Sequence, residues 1–249
     1  PALPEAARAA LDEGFICDMF EGHASYKPRY VLPDYAKFLA NGSEWLELEG
    51  AKDLDDALSL LTILYHHVPS VTSMPVYLGQ LDAILTPYVR ILTQEEVDSR
   101  IKRFWRYLDR TLPDAFMHAN IGPEDTPVAR AILRADAELK QVAPNLTFIY
   151  DPDITPDDLL LEVAKNICEC SKPHISNGPM NDKIFTKGRY GVVSCYNSLP
   201  LAGGGSTLVR LNLKAIAERS ASIEDFFTRA LPHYCQQQIA IIDARCGFL

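Results

Sequence analysis

One cysteine is placed where its sulfur could do chemistry. The run Gly191-Val192-Val193-Ser194-Cys195-Tyr196-Asn197-Ser198-Leu199-Pro200 is followed by Gly203-Gly204-Gly205. The β-branched pair predicts a strand over Val192–Ser194, and the Asn, Ser, Pro and Gly residues beyond it predict a turn-rich segment. A thiol at that junction sits on a loop at a strand end, open to a reactant. The plainer alternative is an inert core thiol, because free cysteine is among the most buried residue types. Upstream, His174, Asn177, Asn181 and Asp182 could line a polar pocket. Hydrogen bonding within the fold would occupy the same residues equally well.

Other candidate groups carry less. Cys168-Glu169-Cys170 with His174 offers three ligand types, but a structural zinc site takes four at recognisable spacing. Gly203-Gly204-Gly205-Ser206-Thr207 lacks the Lys-Ser/Thr ending of a phosphate loop. Its glycines are read as backbone that must pack tightly beside the cysteine loop. His66 and His67 are adjacent and so do not share a helix face. No metal or bound cofactor is expected on this chain.

The elements that must position Cys195 follow from periodicity and caps. Leu54, Leu58, Leu61 and Leu64 or Tyr65 predict a helix from Asp53 to His67 with Asp53 as N-cap. Thr93-Gln94-Glu95-Glu96 is a capping box opening a helix to about Arg110. Glu124 to Gln141 is a third helix, with Thr126-Pro127 near its start. Residues 1–143 are therefore read as a helical region. The rest, 144–249, alternates. A strand over Leu146–Tyr150 precedes a helix from Thr155 (N-cap) and Pro156 to about Cys170. An extended segment Lys172–Asn177, a short helix or turn Asn181–Lys187, the Cys195 strand, a strand Ser206–Leu213 and a helix from Ser222 to about Arg245 follow. Such alternation predicts α/β architecture with parallel strands and helical crossovers.

Composition narrows the function classes. A net charge of −9 argues against a nucleic-acid partner. No apolar run approaches a membrane span. Six cysteines at irregular spacing read as thiols of a cytoplasmic protein. The chain opens Pro1-Ala2-Leu3-Pro4, without Met or a secretory signal, and is read as a fragment or a processed start.

Several motifs, in order, resemble those of the glycyl radical enzymes, including anaerobic ribonucleotide reductases. These are Gly79-Gln80-Leu81-Asp82 with Pro87-Tyr88, Pro144-Asn145-Leu146-Thr147 with Tyr150 and Thr155-Pro156, Asn181-Asp182 with Phe185, and Arg189-Tyr190-Gly191-Val192-Val193-Ser194-Cys195. The whole chain is most similar to the YjjI-type glycine radical family. The resemblance implies the first half of a ten-stranded α/β barrel, preceded by helices, with Cys195 as the residue that carries a thiyl radical. It implies anaerobic C–H activation of a small-molecule substrate and a radical-SAM activating enzyme as partner. It also implies a stored glycyl radical on a second loop of the form Arg-Val-x-Gly-Tyr, which this sequence lacks; the chain alone is expected to be inactive. Ser194 stands where the formate lyases of the superfamily carry a first cysteine, which disfavours acyl transfer. Asn197 stands where diol dehydratases and choline lyases carry a glutamate base. Asn197 joins His174, Asn177, Asn181 and Asp182 as a candidate substrate contact. An uncovered half-barrel is expected to form a homo-oligomer. The alternative reading is a non-catalytic scaffold or binding half-domain derived from the same superfamily.

Overall fold

The computed structural model describes residues 3–18, 27–72, 76–112, 116–193 and 197–248. In chain order the first elements are α1 (Glu5–Asp12), β1 (Ile16–Asp18), β2 (Tyr30–Val31), α2 (Tyr35–Asn41), α3 (Leu54–Val71), β3 (Tyr77–Gln80), α4 (Leu81–Leu85), α5 (Gln94–Thr111), β4 (His118–Ile121) and α6 (Pro127–Leu139). Next come β5 (Asn145–Tyr150), α7 (Asp157–Cys170), β6 (His174–Asn177), α8 (Gly178–Ile184), β7 (Tyr190–Val193) and β8 (Asn197–Pro200). The chain closes with β9 (Gly204–Gly205), β10 (Val209–Leu211), α9 (Leu213–Glu218), α10 (Ile223–Asp225), a π turn over Phe226–Ala230 and α11 (Leu231–Cys246). It divides into two compact units: Tyr30–Ser70 with Met74–Gly204, and the remaining terminal segments with Val71–Ser73.

The larger unit is built on a parallel sheet in the order β3-β4-β5-β6. Side chains alternate across it. Ala119, Ile121, Leu146 and Phe148 point to one face and join Leu61, Tyr65, Phe104, Trp105, Val128 and Ile132 in a single apolar core. The other face carries Tyr77, His118, Asn120 and Thr147, all essentially inaccessible to solvent. Parallel strands buried on both faces usually read as continuous apolar runs; here the second face is polar and covered.

β3 contains a bulge. Tyr77 opposes His118, but Gly79 opposes Ala119, so Leu78 is an extra residue. A bulge takes backbone groups out of the ladder, and two buried tyrosines satisfy them. The Tyr35 hydroxyl donates to the Tyr77 carbonyl and the Tyr65 hydroxyl to the Leu78 carbonyl. Gly79 has φ +97°, a conformation that disfavours any side chain.

Local signals set most helix starts. Asp53 accepts from Asp56 N at 2.9 Å, the Thr93–Glu96 capping box is complete, and Thr126 accepts from Ala129 N at 3.0 Å. Four expectations are corrected. The parallel sheet begins before residue 144, because β3 and β4 lie inside the segment read as helical. Thr155 does not cap α7; its hydroxyl donates to Pro123 O at 3.1 Å and accepts from Asp151 N at 3.3 Å. The parallel alternation stops at β6: β7 pairs antiparallel with β8, and β10 antiparallel with β1. Ser222 does cap the last helical segment, accepting from Asp225 N at 3.1 Å, but the π turn interrupts it. Pro232 lacks the N–H that a regular helix would donate to the Thr228 carbonyl, and the regular pattern breaks there.

A buried ion pair joins the helical layer to the sheet's lower end. Asp136 of α6 accepts from Lys172 Nζ at 2.7 Å, Trp105 Nε1 at 3.1 Å and Asn166 Nδ2 at 3.2 Å. Cys170 Sγ lies 3.3 Å from the same carboxylate, and burial and that charge push its thiol up to about 11. Cys170 is thus held protonated as a hydrogen-bond donor. Removing one partner of a buried pair strands the other charge, at about 3–5 kcal/mol. Lys172→Met should lower stability by about that amount in urea unfolding, and Lys172→Met with Asp136→Leu should recover part of the loss.

Candidate active site

Cys195, with Ser194 and Tyr196, lies outside the described residues. The strands on either side of it are described. β7 leads in and β8 leads out, paired antiparallel from Tyr190↔Pro200 to Val193↔Asn197. All four residues of β7 are buried, and β7 lies across the polar face of the sheet against β3 and β4.

One side chain fixes that crossing. Asn120 Nδ2 donates to the Val192 carbonyl at 2.8 Å, and Val192 N donates to Asn120 Oδ1 at 2.8 Å. The amide side chain thus replaces a neighbouring strand, satisfying both backbone groups of a residue three positions before Cys195. Tyr77 adds a longer bond, its hydroxyl 3.3 Å from Asn120 Oδ1. Gly191 is required by the same contact: a Cβ there would lie 2.5 Å from Tyr77 Cζ and 2.9 Å from Leu32 Cδ2. Beside this clamp His118 Nε2 meets Thr147 Oγ1 at 2.9 Å. Burial and the nearby His174 bring His118 down to about 4, so its ring is neutral near pH 7.

The five polar residues expected near Cys195 fall in three places. Asn181 is buried and donates to Ser176 Oγ at 3.0 Å. It also hydrogen-bonds Tyr190, whose phenol burial and Asp182 push up to about 12. Asn181 and Asp182 of α8 therefore meet Tyr190 at the start of β7. His174 and Asn177 stand at opposite ends of the edge strand β6, both exposed. Asn177 caps α8, its Oδ1 accepting from Met180 N at 2.9 Å, so α8 starts earlier than the expected Asn181. Asn197 is exposed, opposite Val193. The glycine run behaves as tight packing: a Cβ on Gly204 would collide with the Tyr30 carbonyl.

A buried carboxylic acid sits at the upper end of the sheet. Asp82 Oδ2 accepts from Gly122 N at 2.8 Å, while Oδ1 has no hydrogen-bond partner among the described residues. Gln80 donates to the Gly122 carbonyl, so the turn after β4 is held from both sides. Burial raises Asp82 from 3.8 to about 7, with Glu124 adding repulsion and the Gly122 bond opposing it.

The whole chain, residues 1–249, matches the family described as glycyl radical enzyme YjjI-like. The chain belongs to this family. It is 89% identical over 249 residues to the uncharacterized protein YjjI of Escherichia coli K12, spanning all of this chain and 48% of that protein. A Haemophilus influenzae protein is 44% identical over 240 residues, 96% of this chain and 46% of its own length. The chain thus spans about half the length of the relatives it matches. Among solved structures, the anaerobic ribonucleotide reductase of Thermotoga maritima in complex with dATP and CTP superposes with a TM-score of 0.77 at 14% identity, over 96% of this chain and 48% of that one. The B12-independent glycerol dehydratase of Clostridium butyricum, in a glycerol-bound form, gives 0.57 at 17% identity, over 79% and 33%. These likenesses are of fold: an α/β architecture like that of the glycyl radical enzyme barrel.

Sequence reasoning missed Tyr77, His118, Asn120 and Thr147. A signal existed in the alternation His118-Ala119-Asn120-Ile121 and Asn145-Leu146-Thr147-Phe148, which marks one polar and one apolar face. Two measurements check the site. Asn120→Leu leaves the Val192 N–H and C=O buried without partners and should cost about 2–4 kcal/mol in urea unfolding; Asn120→Asp, which keeps the acceptor, should cost less. For Asp82, the native state holds a proton that the unfolded state releases between pH 3.8 and about 7. Its contribution to stability therefore falls as pH rises through that window and is flat above it. Thermal midpoints across pH should show that decline in the wild type and not in Asp82→Asn.

Proposed function

We propose that the protein to which this chain belongs activates a C–H bond of a small substrate through a thiyl radical on Cys195. One observation carries the reading: Asn120 pins both backbone groups of Val192, and so fixes the strand that runs into Cys195. Family membership supplies the chemistry that a thiol following this strand would perform. Cys195 would give the hydrogen atom of its S–H bond to a glycine-centred radical, then take one from a substrate carbon, leaving a substrate radical and a restored thiol. No lowered thiol pKa is needed, unlike for a nucleophilic cysteine. The glycine lies on a segment of the whole protein outside this sequence, and a radical-SAM activating enzyme would oxidise it. This chain itself would hold no cofactor.

Neighbouring residues shape the reaction class. Ser194 offers no second thiol for acyl transfer, and Asn197 offers no base. Asn181, Asp182 and Tyr190 form the hydrogen-bonding group nearest the start of β7, while exposed His174 lies in register with Thr147 on the polar side of the sheet and would be the edge residue within reach of substrate; Asn177 serves as the cap of α8. No helix of the described residues is long and apolar enough to cross a membrane. We assign the protein to the cytoplasm as a homo-oligomer, on the family reading and its thiol content.

The test uses the full-length protein, activated anaerobically by its radical-SAM partner and examined by electron paramagnetic resonance. The glycyl radical's doublet arises from its α-hydrogen. In D2O the Cys195 thiol carries deuterium, so hydrogen-atom exchange through sulfur should collapse the doublet to a singlet. Cys195→Ala should form the radical and keep the doublet indefinitely. Collapse in the variant would move the hydrogen transfer to another residue.

A further inference from the structure

The larger unit holds a hollow that nothing in the radical chemistry occupies. It measures about 170 Å³ and lies between the start of α2, the β3 bulge with α4, and the start of β7. Tyr35, Tyr77 and Tyr190, with Ile84 and Leu201, give it a mainly apolar lining. The three phenol groups are engaged elsewhere. Tyr35 donates to the Tyr77 carbonyl, Tyr77 to Asn120, and Tyr190 bonds Asn181. An apolar cavity of about 150 Å³ accepts a benzene ring, so the hollow has room for a ligand body of that size.

One guanidinium stands in the wall. Arg189, half exposed, donates from Nη1 to Asp34 Oδ2 at 2.7 Å, and its side chain forms no other bond among the described residues. Asp34 is itself fixed as the N-cap of α2, accepting from Lys37 N at 3.2 Å. With Nη1 held, the Nε–Nη2 edge is left as a pair of parallel donors, the fork that a carboxylate takes bidentately. Beside Arg189, Gly188 lines the hollow and leaves space open: no atom lies within 4 Å of where its Cβ would stand. Local charge is positive. Arg189 and the exposed Lys37 and Lys187 outnumber Asp34. Asp82, Asp151 and Asp182 act on Tyr77 or Tyr190, but none of them lines the hollow.

We propose that this hollow binds a small carboxylate with an apolar body, its charge held by Arg189 and its body packed among the tyrosines. An anion is the ligand to expect of a cationic wall in a chain whose net charge is −9, because a local field of that sign has to be built. Such a ligand acts as an effector and not as the reactant. Tyr190 and Val193 stand at opposite ends of β7, about 10 Å apart, and Cys195 follows Val193. Bound carboxylate packs against Tyr77 and Tyr190 and so braces β7 at the end away from that thiol.

The experiment is isothermal titration calorimetry of the full-length protein with benzoate, whose ring matches the hollow. The wild type should bind it at a single site per chain. Benzamide, the same ring without the charge, should bind at least about 10-fold more weakly. The larger 1-naphthoate should also lose at least about 10-fold, because overpacking a filled cavity is unfavourable. Arg189→Gln should weaken benzoate at least about 10-fold, and Ile84→Trp, which puts an indole into the hollow, should abolish binding. Circular dichroism checks that both variants fold. A wild type that does not bind benzoate, one that binds benzamide equally well, or benzoate binding indifferent to Arg189→Gln or to Ile84→Trp overturns the proposal.

Discussion

The arrangement around Cys195 depends on a strand that crosses a sheet without joining it. β7 lies over β3 and β4, where its backbone has no ladder partner on the sheet side. Burying such a strand leaves N–H and C=O groups that cost about 1–3 kcal/mol each if unmet. Asn120 meets both for Val192 with one planar amide. Much of the surroundings follows from this. Gly191 must lack a side chain because Tyr77 comes up beside the clamp, Ile149 packs beneath Tyr190 and Val192, and His118 stays neutral in the same dry layer.

The apolar side of the sheet solves a different problem. Its helices bury a large core, and the polar cost is gathered into one hub at Asp136, where an ion pair, an indole, an amide and a thiol converge. The upper end of the sheet is held by other groups. There, the ends of β3 and β4 are joined through Gln80, Asp82 and Gly122.

What the sequence revealed follows from how local each signal is. Caps at Asp53, Thr93 and Thr126 are readable because donor and acceptor lie within three or four residues. The motif order around Cys195 led to the family. β3 and β4 escaped because each has only four residues, too few for the alternation in β4 to stand out, and β3 carries a glycine and a bulge. The alternation marks the face of Asn120 but not its bond, because its partner is 72 residues away. Thr155 shows the converse error, a residue ideal for a cap whose hydroxyl is claimed by a neighbouring loop.

The extra residue at Leu78 changes how this region must be written as a code. Before it, β3 keeps step with β4; after it, every position is displaced by one, so Tyr77 and Gln80 fall in line with His118 and Asn120 although they are an odd number apart. A strict two-residue grammar would therefore assign Gln80 to the wrong side. The tyrosines at positions 35 and 65 act as punctuation for that slip: each marks a carbonyl that the frame shift strands. Removing the inserted residue would take away the acceptors of both phenols together, so the three positions are physically coupled.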